Sequence, residues 1–383
     1  MEAQRAPEEG AMKTSGWRLG GMLAAGMLAG SAWGQEAVIT SFSSNGVISW
    51  TNAVDTNALY YVEWAGSVNG PWYRSFDPQG TIYGGANSFS VAVPMFYRVV
   101  KATGGEPPRG MAWIDGGAFA QGQDGVYAAT PVHDTFVSGF WMDEMETTKA
   151  AWDAVYAWAT NHGYAFTNPG AGKAKNHPVQ TVDWYDCAKW CNARSQMENL
   201  TPCYYTTSGK TTVYATGSLN ISNECVMWTA NGYRLPTEAE WEKAARFVWA
   251  GQRFPWGGLT IQHARANYVA SPAYYDTSPT TGPHPDYDEG AVPYTSPVGS
   301  FPANGYGLHD MAGNVAEWVW DWYGDYIAGA QTDPRGPSSG TYRIYRGGSC
   351  SAGGSYLFCA DRYNLYLPST EDYLVGFRCV RRP

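Results

Sequence analysis

The chain has 383 residues, of which 44% are hydrophobic and only 15% are charged, and its formal net charge is -9. An acidic surface disfavours nucleic acids and anionic membranes as partners, because both would repel it. The low charged fraction, together with 45 glycines, 18 tryptophans and 27 tyrosines, predicts a loop-rich fold with aromatic packing and little regular secondary structure.

The first 34 residues predict a secretory signal peptide. Lys13 and Arg18 precede the apolar run 20–32, which ends in the small-residue pattern 32–34. The run is too short for a membrane span, and no later stretch reaches roughly eighteen uninterrupted apolar residues. We therefore expect no membrane span and an exported protein, periplasmic or extracellular, in a compartment where disulfides persist.

Residues 37–101 predict a small all-β sandwich. Five short segments of alternating pattern are separated by Asn, Gly, Asp and Pro turns. The segments 60–72 and 96–101 are similar to fibronectin type III-like modules of exported bacterial proteins. The following residues 102–109, rich in Gly and Pro, predict a linker, so that a second domain occupies residues 110–383.

Three helices are predicted in this second domain, after a few short strands. The first spans 149–160 with Thr148 as its N-cap, and the second begins at the capping residue Asp183. The third follows Thr237, which forms a T-x-x-E capping box with Glu240. Strands and helices in this order predict an α+β domain.

The segment 304–322, NGYGLHDMAGNVAEWVWDW, predicts an ion site. Asp310 and Glu317 supply carboxylate oxygens, and the carbonyls of Gly313 and Val315 can complete a calcium shell. The alternative is that the carboxylates cap turns by accepting from backbone N–H groups. Alternating indoles predict a strand in the core: Trp318, Trp320 and Trp322.

The order of motifs from residue 110 to residue 382 resembles the formylglycine-generating enzyme or sulfatase-modifying factor family. The motifs are GGAFAQG, FWMDEMETT, HPVQTVDWYDCAKWC, GYRLPTEAEWEKAAR, FPWG, RANY, NGYGLHDMAGNVAEWVWDW, YRGGS and VGFRC. The resemblance implies a C-type-lectin-like domain with little regular secondary structure. The expected fold is therefore this α+β domain, preceded by the small β-sandwich.

The resemblance also implies two calcium sites. The first falls on four residues: Asp310, Gly313, Val315 and Glu317. The second falls on Asn267, the carbonyl of Tyr268 and an acidic residue of the loop 286–291, for which we choose Glu289, with Asp288 as the alternative.

Active members of the family convert a sulfatase cysteine to formylglycine with molecular oxygen and copper held by two cysteines. These cysteines lie three and eight positions beyond the serine of GGS. Counted from Ser349, the positions here are Ala352 and Leu357, and neither side chain can bind copper. Cys350 and Cys359 lie nearby and are the catalytic candidates of a displaced copper pair. A disulfide between them is the alternative, which we favour.

The remaining cysteines are expected to leave one free thiol. Cys203 and Cys225 lie near the two ends of an insert and predict a local disulfide. The resemblance implies a second disulfide between Cys191 and Cys379, which leaves Cys187 free.

Five further residues are candidate ligands. Arg346, Arg362 and Arg378 can line a cleft for an acidic substrate, or can tie loops together as structural arginines. His177 and His309 are the candidates for a histidine-ligated oxygenase, although single histidines are more often structural.

Two functions remain open. In the first, the chain keeps the scaffold and calcium, has lost copper chemistry, and binds a peptide, a glycan or another partner, including an exported sulfatase. In the second, it is a copper-dependent oxidase that generates formylglycine through Cys350 and Cys359. The second function requires copper and a free dithiol, whereas the first requires neither.

Overall fold

The computed structural model describes residues 108–383 except 248–251 and 272–273, and before residue 108 it describes only the backbone of seven short strands. The predicted signal peptide, residues 1–34, and residues 102–107 of the predicted linker lie outside the described residues. Within the described part of the chain, no helix is both long and apolar enough to cross a membrane.

The seven N-terminal strands pair within residues 38–101. They are β1 Val38–Phe42, β2 Val47–Thr51, β3 Leu59–Ala65, β4 Tyr73–Arg74, β5 Ile82–Tyr83, β6 Ser88–Ser90 and β7 Phe96–Lys101. One sheet has the order β1-β2-β6, and in the other β3 pairs with β4, β5 and β7. The side-chain packing that would join two sheets into a sandwich lies outside the described residues, so the sandwich stays a prediction.

The rest of the chain is a mixture of short strands and three helices over the described residues. The elements are β8 Met111–Ile114, β9 Gly117–Gln121, β10 His133–Val137, β11 Phe140–Asp143, α1 Lys149–Thr160, α2 Trp184–Met197, β12 Tyr233–Arg234, α3 Glu238–Arg246, β13 Ala316–Trp322, β14 Gln331–Thr332, β15 Arg343–Arg346, β16 Val375–Gly376 and β17 Val380–Arg381. Two short 3₁₀ turns add Asn223–Cys225 and Gly354–Leu357.

All three helices begin at the predicted caps. The side chains of Thr148 and Asp183 accept hydrogen bonds from backbone N–H groups of the first turn, at 3.1 and 2.7 Å. Thr237 accepts from the N–H of Glu240 at 3.2 Å, and Glu240 accepts in return from the N–H of Thr237 at 2.9 Å. The capping box is therefore complete, because each residue satisfies a backbone donor that the helix leaves open.

Three small sheets hold the domain together. One has the order β12-β17-β11-β8. In it β17, which lies near the end of the chain, pairs with β12 on one side and β11 on the other. The second, β15-β13-β16, places all seven residues of β13 in the interior. The third has the order β14-β10-β9. The predicted tryptophan strand is confirmed, and it runs directly from the glycine-rich loop that carries the candidate ion ligands.

The core is aromatic where α1 and α2 pack together. Trp152 and Trp190 stack with their ring centroids 5.9 Å apart and an interplanar angle of 3°. Trp184 and Trp320 lie beside them and are almost completely buried. Large rings fill this core in place of long helices, which agrees with the composition.

The seven cysteines are free thiols in the structure. Cys203 donates to the carbonyl of Gly232 at 3.3 Å, whereas Cys225 lies 3.7 Å from the hydroxyl of Ser222. The two thiols have separate partners, so the predicted disulfide between them is not formed. The sulfurs of Cys191 and Cys379 lie 3.5 Å apart, in contact but unbonded.

Candidate functional site

The loop 310–314 adopts a backbone conformation that few residues tolerate. Asp310, Gly313 and Asn314 have positive φ angles of 55°, 87° and 61°. A Cβ atom at Gly313 would lie 2.2 Å from the carbonyl oxygen of Asn267, so only glycine fits there. The N–H of Asn314 donates to the same oxygen at 2.9 Å. The structure thus brings together the two segments that the sequence assigns to separate calcium sites.

Each of these segments carries a buried oxygen with no hydrogen-bond partner. Oδ1 of Asp310 and Oδ1 of Asn267 are both unpaired and enclosed. The other polar atoms of the two side chains are satisfied, since Asp310 Oδ2 accepts from Gly299 N–H at 2.6 Å and Asn267 Nδ2 donates to the Tyr294 carbonyl at 2.8 Å. An unpaired buried oxygen costs about 1–3 kcal/mol, which a bound cation would offset. Both atoms are oxygens of the kind that calcium binds.

Glu317 lies at the start of β13 and is buried against two donors. Arg378 donates to its carboxylate from Nε and Nη2 at 2.7–2.9 Å, and Trp241 Nε1 donates at 2.8 Å. These four contacts, two on each oxygen, fill the roughly four acceptor positions of a carboxylate. Glu317 therefore has a structural role, and an ion bound at its carboxylate would have to displace one of these donors.

Glu146 belongs to the same cluster, although sequence reasoning did not select it. Its carboxylate accepts from Asn314 Nδ2 at 2.6 Å and from the N–H of Val315 at 3.0 Å. Burial, and then the nearby Asp310 and Glu317, raise its pKa well above the usual value. The acidic run of the motif FWMDEMETT was the available signal. Three buried carboxylates thus surround one loop, and the guanidinium of Arg378 lies among them.

The second predicted calcium set is only partly assembled. The Tyr268 carbonyl already contacts His263 Nε2 at 3.2 Å. Glu289 is exposed, and its own carbonyl accepts from Lys173 Nζ at 3.1 Å. No contact in the described part of the chain brings its carboxylate to Asn267, because the loop that carries it lies at the surface.

The positions at which the resemblance places copper cysteines are apolar. Leu357 is fully buried, and Ala352 packs against the same small cluster. The other members of this cluster are Phe254, Ile261, Ala266, Tyr268, Ala270 and Ala312. Methyl groups fill the place where thiolates would be needed, so copper does not fit these two positions.

Cys350 and Cys359 do not replace that pair. Cys350 is buried beside Asn314, whose carbonyl accepts from the Cys350 N–H at 2.8 Å, and burial raises the pKa of its thiol to about 11. Burial likewise raises the pKa of Cys359 to about 12, and the charged neighbours of Cys359 are Arg246, Glu242 and Arg346. The thiols lie in different surroundings and are unbonded, so the predicted disulfide between them is not formed.

The three candidate arginines lie in the interior of the fold. Each guanidinium pairs with a buried carboxylate: Arg346 with Glu242 at 2.6 Å, Arg362 with Glu238 at 2.6 Å and Arg378 with Glu317 at 2.7 Å. Further donors reach backbone carbonyls of several loops, such as those of residues 128, 324 and 309. These contacts support the structural alternative, in which arginines tie loops together.

The histidine alternative receives no support from the described residues. His177 Nδ1 contacts the hydroxyl of Thr295 at 2.9 Å, and His309 Nδ1 contacts the carbonyl of Phe301 at 2.7 Å. Across residues 108–383, apart from the two short gaps, no three His, Cys, Asp or Glu side chains are grouped to hold a metal. Any calcium site must therefore use main-chain or amide oxygens as well.

The fold and the loop together define a loop-rich α+β domain of the C-type-lectin-like class, built around a glycine-rich segment with buried carboxylates. The family model described as the sulfatase-modifying factor enzyme 1-like domain matches residues 97–383. The chain therefore belongs to this family. The match confirms the resemblance and begins before the predicted boundary at residue 110.

Known relatives cover most of the same region. The chaperone protein LppX of Paenibacillus barcinonensis is 35% identical over 245 residues, which are 61% of this chain and 76% of LppX. The formylglycine-generating enzyme of Streptomyces coelicolor is 30% identical over 303 residues, 71% of this chain and 89% of the enzyme. The structure of Treponema denticola variable protein 1 matches with a TM-score of 0.55 and 27% identity, covering 77% of this chain and 98% of that protein.

Proposed function

We propose that this protein is an exported, calcium-stabilised family member that has lost copper oxidase chemistry and binds a peptide or glycan partner. The observation that carries the proposal is the apolar cluster around Ala352 and Leu357. Copper(I) requires soft sulfur ligands, and these positions offer only hydrocarbon. The loss removes the reaction but leaves the surrounding scaffold intact.

Calcium is proposed on the first predicted ligand set. Asp310 and Glu317 would supply carboxylate oxygens, and Gly313 and Val315 would supply carbonyl oxygens. The unpaired Asp310 Oδ1 supports this assignment. The ion would offset the repulsion among buried carboxylates and hold the loop 310–314 in its left-handed conformation.

The proposed partner is a segment of an exported protein, and an exported sulfatase is included in that class. One relative, LppX, is named a chaperone, which supports a role in binding proteins. A glycan is the other ligand class that a lectin-like scaffold accommodates. The acidic net charge of the chain disfavours nucleic acid as a partner.

The alternative is a copper-dependent oxidase of protein cysteine, acting through Cys350 and Cys359. The identity to the Streptomyces coelicolor enzyme supports it. The raised pKa values of both thiols oppose it, because the thiolate is the form that ligates metal and exchanges with other thiols.

The test uses the purified protein with a peptide that contains a C-x-P-x-R motif. The peptide is incubated with copper and oxygen, its thiol is followed by mass spectrometry, and its binding is followed by fluorescence anisotropy. We expect this protein to leave the peptide thiol unchanged. The Streptomyces coelicolor enzyme, as the positive control, should form the aldehyde under the same conditions. Aldehyde formation that is lost in Cys350→Ser or Cys359→Ser would establish the oxidase and refute the proposal.

A further inference from the structure

A cavity of about 310 Å³ lies between the end of β13, the loop 324–337 and the N-terminus of α3. It contains none of the candidate calcium ligands and neither copper position. Its polar lining includes Asp321 and Glu238, and its apolar lining includes Trp322, Ile327 and Pro337. This volume is near the lower end for ligand sites, so the cavity fits a small group or one side chain.

Asp321 is the side chain in this cavity that lacks a full set of partners. It is only 4% exposed, and its Oδ2 accepts from the N–H of Glu238, the first residue of α3, at 2.8 Å. No described residue donates a hydrogen bond to its Oδ1. That oxygen lies over Gly336, where an added Cβ would approach it to 2.8 Å. One acceptor oxygen is therefore left open at the cavity wall.

The neighbouring polar groups are already paired with one another. Both oxygens of Glu238 accept from Arg362, at 2.6 and 2.8 Å. The hydroxyl of Tyr326 accepts from Gln121 Nε2 at 3.2 Å and lies 3.3 Å from a carboxylate oxygen of Glu242. Asp321 is thus a buried carboxylate of the cavity lining with an oxygen that an incoming donor can reach.

The charged groups around Asp321 form no direct ion pair with it, although its carboxylate is the charge that most favours the ionised form of Arg343. Glu238 and Glu240 of α3 add negative charge, and Arg362 is committed to Glu238. The remaining cation, Arg343, lies between two indole rings, 3.7 Å from the centroid of Trp184 and 3.6 Å from that of Trp322. It forms no ion pair with Asp321 within 4.0 Å.

We propose that this cavity binds a primary ammonium group on an aliphatic stem, such as a lysine side chain, with Asp321 as its counter-ion. A compact ammonium can bind one carboxylate oxygen as a point charge and leave its other two N–H donors to water. A guanidinium is best held by two carboxylate oxygens, and Asp321 Oδ2 is already occupied. The walls contact the methylene stem. At the rim, Asp325 and Arg335 carry opposite charges, so neither sign dominates the approach.

Burial, and then the nearby Glu238, raise the pKa of Asp321 to about 8. A bound ammonium favours the ionised carboxyl, so binding should strengthen as the pH rises through that value, while a lysine ammonium with a pKa of about 10.4 remains charged. The groups that face Asp321 are the two glutamates of α3, Arg362 and Arg343. His133 also lines the cavity. Burial lowers the pKa of Arg343 to about 9, so the comparison of binding is kept below that pH.

The experiment measures binding of Nα-acetyl-lysine amide and of its neutral analogue Nα-acetyl-norleucine amide by calorimetry. We expect the lysine derivative to bind the intact protein at least about tenfold more tightly at pH 8.5, and the preference to shrink at pH 6. Asp321→Asn should abolish the preference, because its amide oxygen still accepts from the Glu238 N–H but carries no charge. Asp134→Asn, at an exposed position of β10 that does not line the cavity, should change the affinity by about twofold or less.

If the unaltered protein binds the two amides equally tightly, or binds neither, the proposal is overturned. This result does not require the Asp321 variant to fold. A lysine preference that persists in folded Asp321→Asn would also overturn it. The outcome does not depend on copper or calcium, so it is separate from the test of the proposed function.

Discussion

Oδ1 of Asp310 is the atom that best supports calcium binding, because it is buried and unpaired while Oδ2 accepts a hydrogen bond. We predict that calcium raises the thermal midpoint of the protein by about 5 °C at about one hundred times the dissociation constant. Asp310→Ala should remove this increase. Differential scanning calorimetry with calcium and with a chelator measures it.

Asp325→Ala is the matched control for the calcium experiment, since Asp325 is an exposed acid of the same region of the chain. It should keep the full calcium effect. A midpoint that does not respond to calcium in the unaltered protein would contradict the proposed ion site.

Asp321 also makes a prediction about stability and pH. Its pKa is about 8 in the folded state, against the usual value of 3.8. Between these values the folded protein holds a proton that the unfolded chain has released, so the free energy of unfolding falls as the pH rises. The unaltered protein should lose more stability than Asp321→Asn between about pH 4 and about pH 8, by about 5 kcal/mol, because the two pKa values lie about four units apart.

Urea unfolding at several pH values measures this difference. Asp183, whose pKa is raised to about 7 by burial and by Asp186, contributes a slope of the same sign in both proteins. The comparison between the two proteins therefore isolates Asp321. Parallel stability profiles would show that the Asp321 carboxyl titrates normally.

At the scale of elements, α3 connects the two sites that we infer. Its first N–H binds Asp321 beside the cavity, and Trp241, one turn later, binds Glu317 beside the candidate ion loop. Its capping box determines where this helix begins, and hence where both contacts lie.

Loss of that cap should be measurable. We predict that Thr237→Ala lowers the free energy of unfolding by about 1 kcal/mol, because the N–H of Glu240 loses its acceptor. Thr160→Ala, at the last residue of α1, should change stability by less than about 0.5 kcal/mol. Equal losses in the two variants would show that the Thr237 hydroxyl contributes no specific capping energy.

At the scale of the whole molecule, the predicted boundary between the two domains can be tested by proteolysis. Lys101 and the exposed Arg109 flank the Gly/Pro-rich residues 102–108. We expect brief trypsin treatment to release a fragment that begins at Gly110 and keeps the calcium-dependent rise in midpoint. Mass spectrometry identifies the cut, and degradation of the fragment without a stable intermediate would argue against an independent domain.

The contact between Cys191 and Cys379 links α2 to the end of the chain. In an oxidising compartment we expect these two thiols, 3.5 Å apart, to form a disulfide that stabilises the fold by about 4 kcal/mol. Non-reducing peptide mapping of the exported protein detects it. Recovery of both residues as free thiols would contradict either the pairing or the proposed export.

Local features were predictable from sequence because they depend on neighbours along the chain. The caps Thr148, Asp183 and Thr237 each need only a backbone N–H three residues ahead, and all three helices begin where expected. The alternating indoles from Trp318 to Trp322 likewise predicted a buried strand. The ordered motifs were sufficient to identify the family.

Features that depend on residues far apart in the chain were decided by the tertiary structure. Glu146 joins Asn314 across 168 positions, and no spacing rule predicts that contact. Cys350 and Cys359 are close in sequence, but the fold turns their thiols into separate surroundings. In the sequence, Asp321 is one more acid within the tryptophan strand. In the structure, the packing of α3 and Gly336 encloses its side chain and leaves one oxygen open. Sequence determined the elements and the family, whereas burial and long-range pairing determined which charged groups lack partners.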